Sequence, residues 1–135
     1  MGSVVRIAVM GSKDFDDYET VRNVLEKVVL GVHDPRYSSD YTDAIFVFGG
    51  SAGVEAQARA FAEQANYSYV LYKPPFMVAG TDHTPSDFGL RRTQMVDNCD
   101  FLIVIKKPED GSLGRVIARA RRLRKAVHIE EIQDV

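Results

Sequence analysis

The sequence holds a single cysteine, Cys99, so no intramolecular disulfide can form. That suits a reducing compartment, and a cytoplasmic protein is expected. No apolar run approaches the ~20 residues of a membrane span, which excludes membrane partners built on such a helix. Met1-Gly2-Ser3 leads into a strand that carries Arg6, and no signal peptide is read there. Arg6 also stands where N-myristoylation wants Ser or Thr. The net charge is only −2 over 135 residues, so the whole-molecule field does not favour nucleic acid or an anionic membrane. His33, His83 and His128 show no zinc spacing and Cys99 has no cysteine partner. Neither a metal nor a cofactor is expected. No Ser-His-Asp order and no G-x-S-x-G elbow occurs, and there are no repeats or low-complexity segments.

What is there reads as one globular domain over residues 1–135, with 45% hydrophobic and 27% charged residues. Val4 to Met10 forms a first strand that ends at Gly11-Ser12-Lys13-Asp14. Asp16 and Asp17 are placed to cap a helix in which Val21, Val24, Leu25, Val28 and Val29 recur at helical spacing. Gly31 is expected to end it, and His33 to Asp43 reads as a loop. Ile45 to Phe48 is a second strand, followed by Gly49-Gly50-Ser51-Ala52-Gly53. Val54, Ala58, Phe61, Ala62 and Ala65 give the buried face of the next helix; Glu55 and Arg59 lie on another face, four apart, spaced to pair. Tyr67 to Tyr72 is a third strand, stopped by Pro74-Pro75. Phe76 to Gly89 is the longest irregular stretch. Asp82, His83 and Asp87 within it suit acid–base work or a plain polar loop. Leu90 to Asn98 is a short helix and Phe101 to Ile105 a fourth strand. Leu113, Val116, Ile117, Ala120 and Leu123 mark a last helix, and Ala126 to Ile129 a fifth strand.

Strand and helix alternate about five times, and the strands lack a polar face. This is the pattern of an α/β fold, a parallel five-stranded sheet with helices on both sides. Ligands of such sheets bind beyond the carboxyl ends of the strands, at a topological switch point. Three glycine turns lie at that end: Gly11-Ser12, Gly49 to Gly53, and Gly111-Ser112-Leu113-Gly114. They converge if the first strand lies between the second and fourth. The order 3-2-1-4-5 achieves this better than 2-1-3-4-5 and is the expected one.

Glycine lets a backbone turn sharply and lets a ligand approach closely. A helix N-terminus beside it favours phosphate or carboxylate. The turns are neither the dinucleotide fingerprint nor a P-loop, since Gly11 stands alone and no G-K-[ST] follows the glycines. Glu55, in a first helical turn, complements the dipole, holds ribose hydroxyls or acts as a base. Arg91 and Arg92 open their helix, where a cation gains nothing from the dipole; they serve an anionic ligand or are solvated surface arginines. Arg115, Arg119 and Arg122 share a helix face, with Arg121, Arg124 and Lys125 nearby. They form either a solvated outer face or a nucleic-acid patch.

These motifs resemble the SLOG superfamily, a Rossmann-like group that includes the LOG and DprA proteins, and most of all its YspA-like branch. Gly11-Ser12-Lys13-Asp14 is similar to G-S-R-D/E. Gly49 to Glu55 is similar to G-G-x-x-G-x-D/E. Arg91-Arg92-Thr93-Gln94-Met95-Val96 is similar to R-N-x-x-M-V. Asp100 to Ile105 followed by Gly111-Ser112 is similar to the family's D-x-x-x-x-x strand before a G-T turn. The resemblance implies a Rossmann-like domain that binds a nucleotide or nucleotide-derived ligand, with a homodimer plausible. The LOG enzymes carry a glutamate after their glycine motif; here Gly114 or Arg115 takes its place.

The leading expectation is a sensor or sequestering module for a nucleotide derivative. Its ligand-binding residues are Gly11, Ser12, Lys13, Gly49, Gly50, Ser51, Gly53, Glu55, Arg91, Arg92, Gly111, Ser112 and Gly114. The first alternative is a nucleotide N-glycosidase or phosphoribohydrolase in which Glu55 and Arg91 are catalytic. The second is a single-stranded nucleic acid binder acting through the Arg115–Lys125 helix, against which the acidic balance counts.

Overall fold

Val5, Ile7, Ala8, Val9 and Met10 are each at most 1% exposed, so strand β1 (Ser3–Gly11) is covered on both faces. Side chains alternate along a strand, and a strand buried this way needs a layer on each side. Val5, Ile7 and Val9 pack with helices α1 (Tyr18–Val32) and α2 (Val54–Gln64). Ala8 and Met10 pack with helices α3 (Ser86–Asp97) and α4 (Gly114–Arg122). Strands β2 (Tyr41–Phe48) and β4 (Phe101–Lys106) divide in the same way. Phe46, Phe48, Ile103 and Ile105 face one layer; Val47, Leu102 and Val104 face the other. Strands β3 (Ser68–Leu71) and β5 (Ala126–Glu131) form the edges. This computed structural model describes residues 3–32, 41–49, 53–72 and 86–132.

All strands are parallel and their order is β3-β2-β1-β4-β5, as expected from the sequence. The order places the ends of β2 and β4 on either side of β1. The α1/α2 layer is the aromatic one. Phe46 stacks on Phe48 at 5.6 Å, meets Phe61 edge-on at 6.2 Å and Tyr67 at 5.4 Å. Each such pair adds roughly 0.5–1.5 kcal/mol to plain burial. Among the described residues, no helix is long and apolar enough to cross a membrane.

Several boundaries differ from the sequence reading. β2 starts at Tyr41, inside the expected loop, because the ladder with β1 (Ser3 opposite Tyr41, Val4 opposite Asp43) satisfies the backbone whatever the side chains. α1 runs through Gly31 to Val32; one helical glycine costs only ~1 kcal/mol, too little to force an end. β4 and β5 each run further, pairing as far as Lys106 and Glu131. α3 starts at Ser86 and takes up the end of the expected 76–89 loop, Asp87 included. Arg91 and Arg92 therefore sit mid-helix, and the dipole argument made for them falls away. The rest of that loop, with Asp82 and His83, lies outside the described residues, as do His33 and Pro74-Pro75.

Asp17 caps α1: its carboxylate accepts the Thr20 N–H at 3.2 Å and the Thr20 hydroxyl at 2.8 Å. These bonds, the hydroxyl's first, hold its pKa below the usual carboxylate range. α2 and α4 end alike, with a residue at φ 60° after the last turn, Asn66 and Arg124. In each, paired backbone bonds close the end: Asn66 N–H to Glu63 and Tyr67 N–H to Ala62, Arg124 N–H to Arg121 and Lys125 N–H to Ala120. Asparagine tolerates that conformation; arginine is rarer in it. Cys99 is buried, its thiol pushed up to about 11 by desolvation, so it is an inert core residue.

Candidate functional site

The turn after β1 is packed to its limit. A Cβ on Gly11 would lie 2.2 Å from the Ile105 carbonyl oxygen and 2.5 Å from Val54 Cβ. Only glycine lets β1, β4 and the start of α2 come this close. Ser12, 1% exposed, then ties all three elements together. Its N–H donates to the Ile105 carbonyl at 3.2 Å, and its carbonyl accepts the Val54 N–H at 3.2 Å. Its hydroxyl accepts the Lys107 N–H at 3.1 Å and donates to Asp110 Oδ2 at 2.7 Å. Lys13 follows on the surface.

The turn after β2 is equally tight where it meets α2. Gly53 has φ 73°, and a Cβ there would lie 2.4 Å from the Ser12 and Lys13 carbonyl oxygens. Gly53 occupies the N-cap with no side-chain cap, and Ser12 supplies the acceptor instead. Glu55 is 3% exposed and its Oε1 accepts the Gly49 N–H at 2.7 Å. It therefore fastens the end of β2 to the first turn of α2. Arg59, expected to pair with Glu55, pairs with Glu63 at 3.2 Å. Gly50 and Ser51 lie outside the described residues.

The third turn, after β4, is organised by Asp110. Its Oδ2 accepts the Ser12 hydroxyl; its Oδ1 accepts the Ser112 N–H at 3.0 Å and the Ser112 hydroxyl at 2.6 Å. The Ser112 bonds, then the Ser12 bond, pull its pKa down to about 2. Lys106 Nζ donates to the Asp110 carbonyl at 3.2 Å, and Lys107 pairs with Asp14 at 3.2 Å. Around Gly111 and Gly114 the space is open: a Cβ on either would meet nothing within 4 Å. α4 begins there without a side-chain cap on Leu113; the Gly114 N–H donates to the Gly111 carbonyl at 3.3 Å. Arg92 reaches this turn from α3, its Nη1 donating to the Ser112 carbonyl at 3.2 Å. Its Nε is buried without a partner among the described residues. Arg91 lies on α3, with its side chain outside what is described.

The turn leads directly into the cationic helix. Arg119 forms a two-pronged pair with Asp97 at 2.7 and 2.9 Å, and Lys125 donates to the Asp97 carbonyl at 3.3 Å. These two cations bind α4 to the end of α3. Arg115, Arg121, Arg122 and Arg124 are exposed, and their guanidinium groups have no partner among the described residues.

Structures of DNA processing protein A (DprA) are similar to this chain in fold. The protein from Streptococcus pneumoniae superposes with a TM-score of 0.70 at 18% identity, covering 93% of this chain and 50% of its own. The protein from Helicobacter pylori, whose structure describes its single-stranded DNA binding mode, gives 0.67 at 13%, covering 96% and 66%. This chain thus spans about half the length of the first. No protein-family model and no curated protein matches the sequence. The fold is Rossmann-like, and at these identities the likeness to DprA is one of fold.

The structure brings together Gly11, Ser12, Gly49, Gly53, Glu55, Arg92, Gly111 and Ser112 from the expected set. Their tasks divide: Ser12 and Glu55 spend hydrogen bonds on holding the turns, while Gly111, Ser112 and Gly114 border open space. Sequence reasoning missed Asp110, the residue that joins the first and third turns. Its signal was the Asp-Gly-Ser order, in which an aspartate binds the backbone two residues on.

Proposed function

We propose that the protein binds single-stranded nucleic acid, with α4 as the main contact surface and the open Gly111–Gly114 turn beside it. The observation that carries this is the distribution of charge. Between Asp110 and Glu130 the sequence has no acid, yet it holds Arg115, Arg119, Arg121, Arg122, Arg124 and Lys125. In a chain of net charge −2, the acidic excess therefore lies elsewhere. The four unpartnered arginines offer planar donor forks for phosphate oxygens. The DprA-like fold, with the single-stranded DNA binding described for the Helicobacter protein, supports the reading over a small-molecule sensor. The order of the motifs supports placing residues 1–135 as a SLOG-type domain; the YspA-like branch rests on the motifs alone.

Fluorescence anisotropy with a labelled single-stranded oligonucleotide tests it. Affinity should fall with salt at roughly 0.7 logarithmic units per phosphate contact. Arg121→Ala with Arg122→Ala should lower that slope by about one to two contacts. Absence of binding at low salt would reject the proposal.

A nucleotide derivative at the sheet edge is the second reading. It is favoured by the open space at Gly111 and Gly114 and by Arg92, whose buried Nε has no partner among the described residues. Calorimetry with AMP, ADP-ribose, NAD and cyclic dinucleotides separates it from the first: saturable, weakly salt-dependent binding would support it.

A further inference from the structure

The apolar stripe of α4 runs past the core it covers. Leu113, Val116 and Ala120 follow one another at helical spacing and are buried; Leu123, the next step of the same stripe, is 43% exposed. It stands among cations. Arg121, Arg122 and Arg124 are exposed, and their guanidinium groups have no partner among the described residues. A single apolar side chain on a surface is ordinary, but this one sits in a fixed turn. Leu123 is the C-cap of α4, and the Arg124 and Lys125 amides donate to the Arg121 and Ala120 carbonyls around it. The turn puts Arg124 at φ 60°, where glycine or asparagine is usual. α2 closes in the same way and has Asn66 there. At the end of α4 the strained position carries a cation, directly beside the exposed leucine.

A further cation reaches the same end of this layer. Within β1, Arg6 is exposed although Val5 and Ile7 on either side of it are buried. Val5 and Ile7 face α1 and α2, so alternation sends Arg6 to the α3/α4 side. Its guanidinium has no partner among the described residues. Ile7, Phe101 and Ala126 stand in line across β1, β4 and β5. Arg6 is therefore two strand spacings, about 10 Å, from the chain that leaves α4. The acids at this edge are engaged: Asp97 accepts from Arg119, and Asp100 accepts the Arg6 amide.

We propose that the end of α4 takes an unstacked base of a single strand. Leu123 packs on the base, Arg122 and Arg124 hold the phosphates beside it, and Arg6 takes a phosphate further along. This rests on the reading of α4 as a nucleic-acid surface and adds what arginines alone do not supply. Arginine binds phosphate on single strands and duplexes alike. A leucine gains from a base only where the base can leave its stack, and the bases of a single strand are free to do so. The four unpartnered cations around Leu123 call for a polyanion, and the leucine calls for one with apolar faces between its charges. A nucleic acid strand has both; an acidic peptide would satisfy the arginines alone.

The test compares three labelled ligands of equal length by fluorescence anisotropy with the full chain: oligothymidine, an abasic strand with the same phosphates, and a duplex. Oligothymidine should bind about fivefold or more tightly than the abasic strand. Leu123→Ser, at an exposed position, should remove that advantage and leave the abasic strand, the duplex and the salt slope unchanged. Arg6→Ala should lower the salt slope by about one contact. Equal affinity for oligothymidine and the abasic strand, or an undiminished preference in Leu123→Ser, would overturn the proposal and leave α4 standing as a phosphate-binding surface. No binding of any of the three would reject that surface and the proposal together. Displacement of oligothymidine by polyglutamate as effectively as by unlabelled strand would assign the surface to an acidic partner instead.

Discussion

Two pairs of glycines at one sheet edge differ in what surrounds them. Gly11 and Gly53 are pressed against backbone carbonyls at 2.2 and 2.4 Å from where a Cβ would stand; Gly111 and Gly114 face nothing within 4 Å. The first pair lets the chain pack on itself, and the second lies where the chain leaves room. Similar letters therefore serve opposite purposes. A glycine turn indicates a ligand only where its space is not already filled by protein.

The largest expected effect breaks the first pair. Gly53→Ala combines φ 73° with a clash against the Ser12 and Lys13 carbonyls, and should cost about 3 kcal/mol or more. Gly11→Ala, against the Ile105 carbonyl, should be comparable. Urea denaturation of both variants measures this, and a loss below about 1 kcal/mol in each would erase the distinction between the pairs.

Next comes the latch between the first and third turns. The Asp110 pKa is depressed to about 2 from 3.8. Its contribution is therefore fully present above its unfolded pKa near 4 and disappears as pH falls towards 2. Allowing for solvent screening at this partly buried carboxylate, Asp110→Asn should cost about 1 kcal/mol near neutral pH. It should also flatten the stability profile between pH 4 and 2. A variant whose acid profile overlays the wild type would show that the latch contributes nothing.

Arg124→Gly has a comparable effect of opposite sign. Glycine relieves the φ of 60° at the end of α4 and should raise stability by about 1 kcal/mol. The same change removes one unpartnered cation, so oligonucleotide affinity should fall as the melting temperature rises. The smallest effect belongs to the open pair: Gly114→Ala, in the first turn of α4, should stabilise by about 0.5 kcal/mol. Weaker oligonucleotide binding in that variant would indicate close backbone approach at this turn, and unchanged binding would confine the contact to the arginines.

The aspartate cap of α1 was legible before the fold was seen, because capping acts within one turn of chain. So were the strand order and the three turns, because apolar strands alternating with amphipathic helices leave few topologies open. The start of α3 was hidden by the polar, glycine-containing run from Ser86, and the start of β2 by Asp43, since a neighbouring strand supplied the pairing. The Glu55–Arg59 spacing was legible but its outcome was not: Glu63 and Tyr69 offered Arg59 another partner, and Gly49 placed its amide against Glu55.

By itself, then, the sequence determined which faces are apolar, where the chain turns, and that six cations follow one another without an acid. Those are properties of neighbours along the chain. Tertiary structure decided which glycines are filled, which cations are spent on Asp97, and that Ser12 and Glu55 hold the turns together. Those outcomes depend on atoms brought within about 3 Å from distant parts of the chain, and hydrogen bonding is decided at that distance.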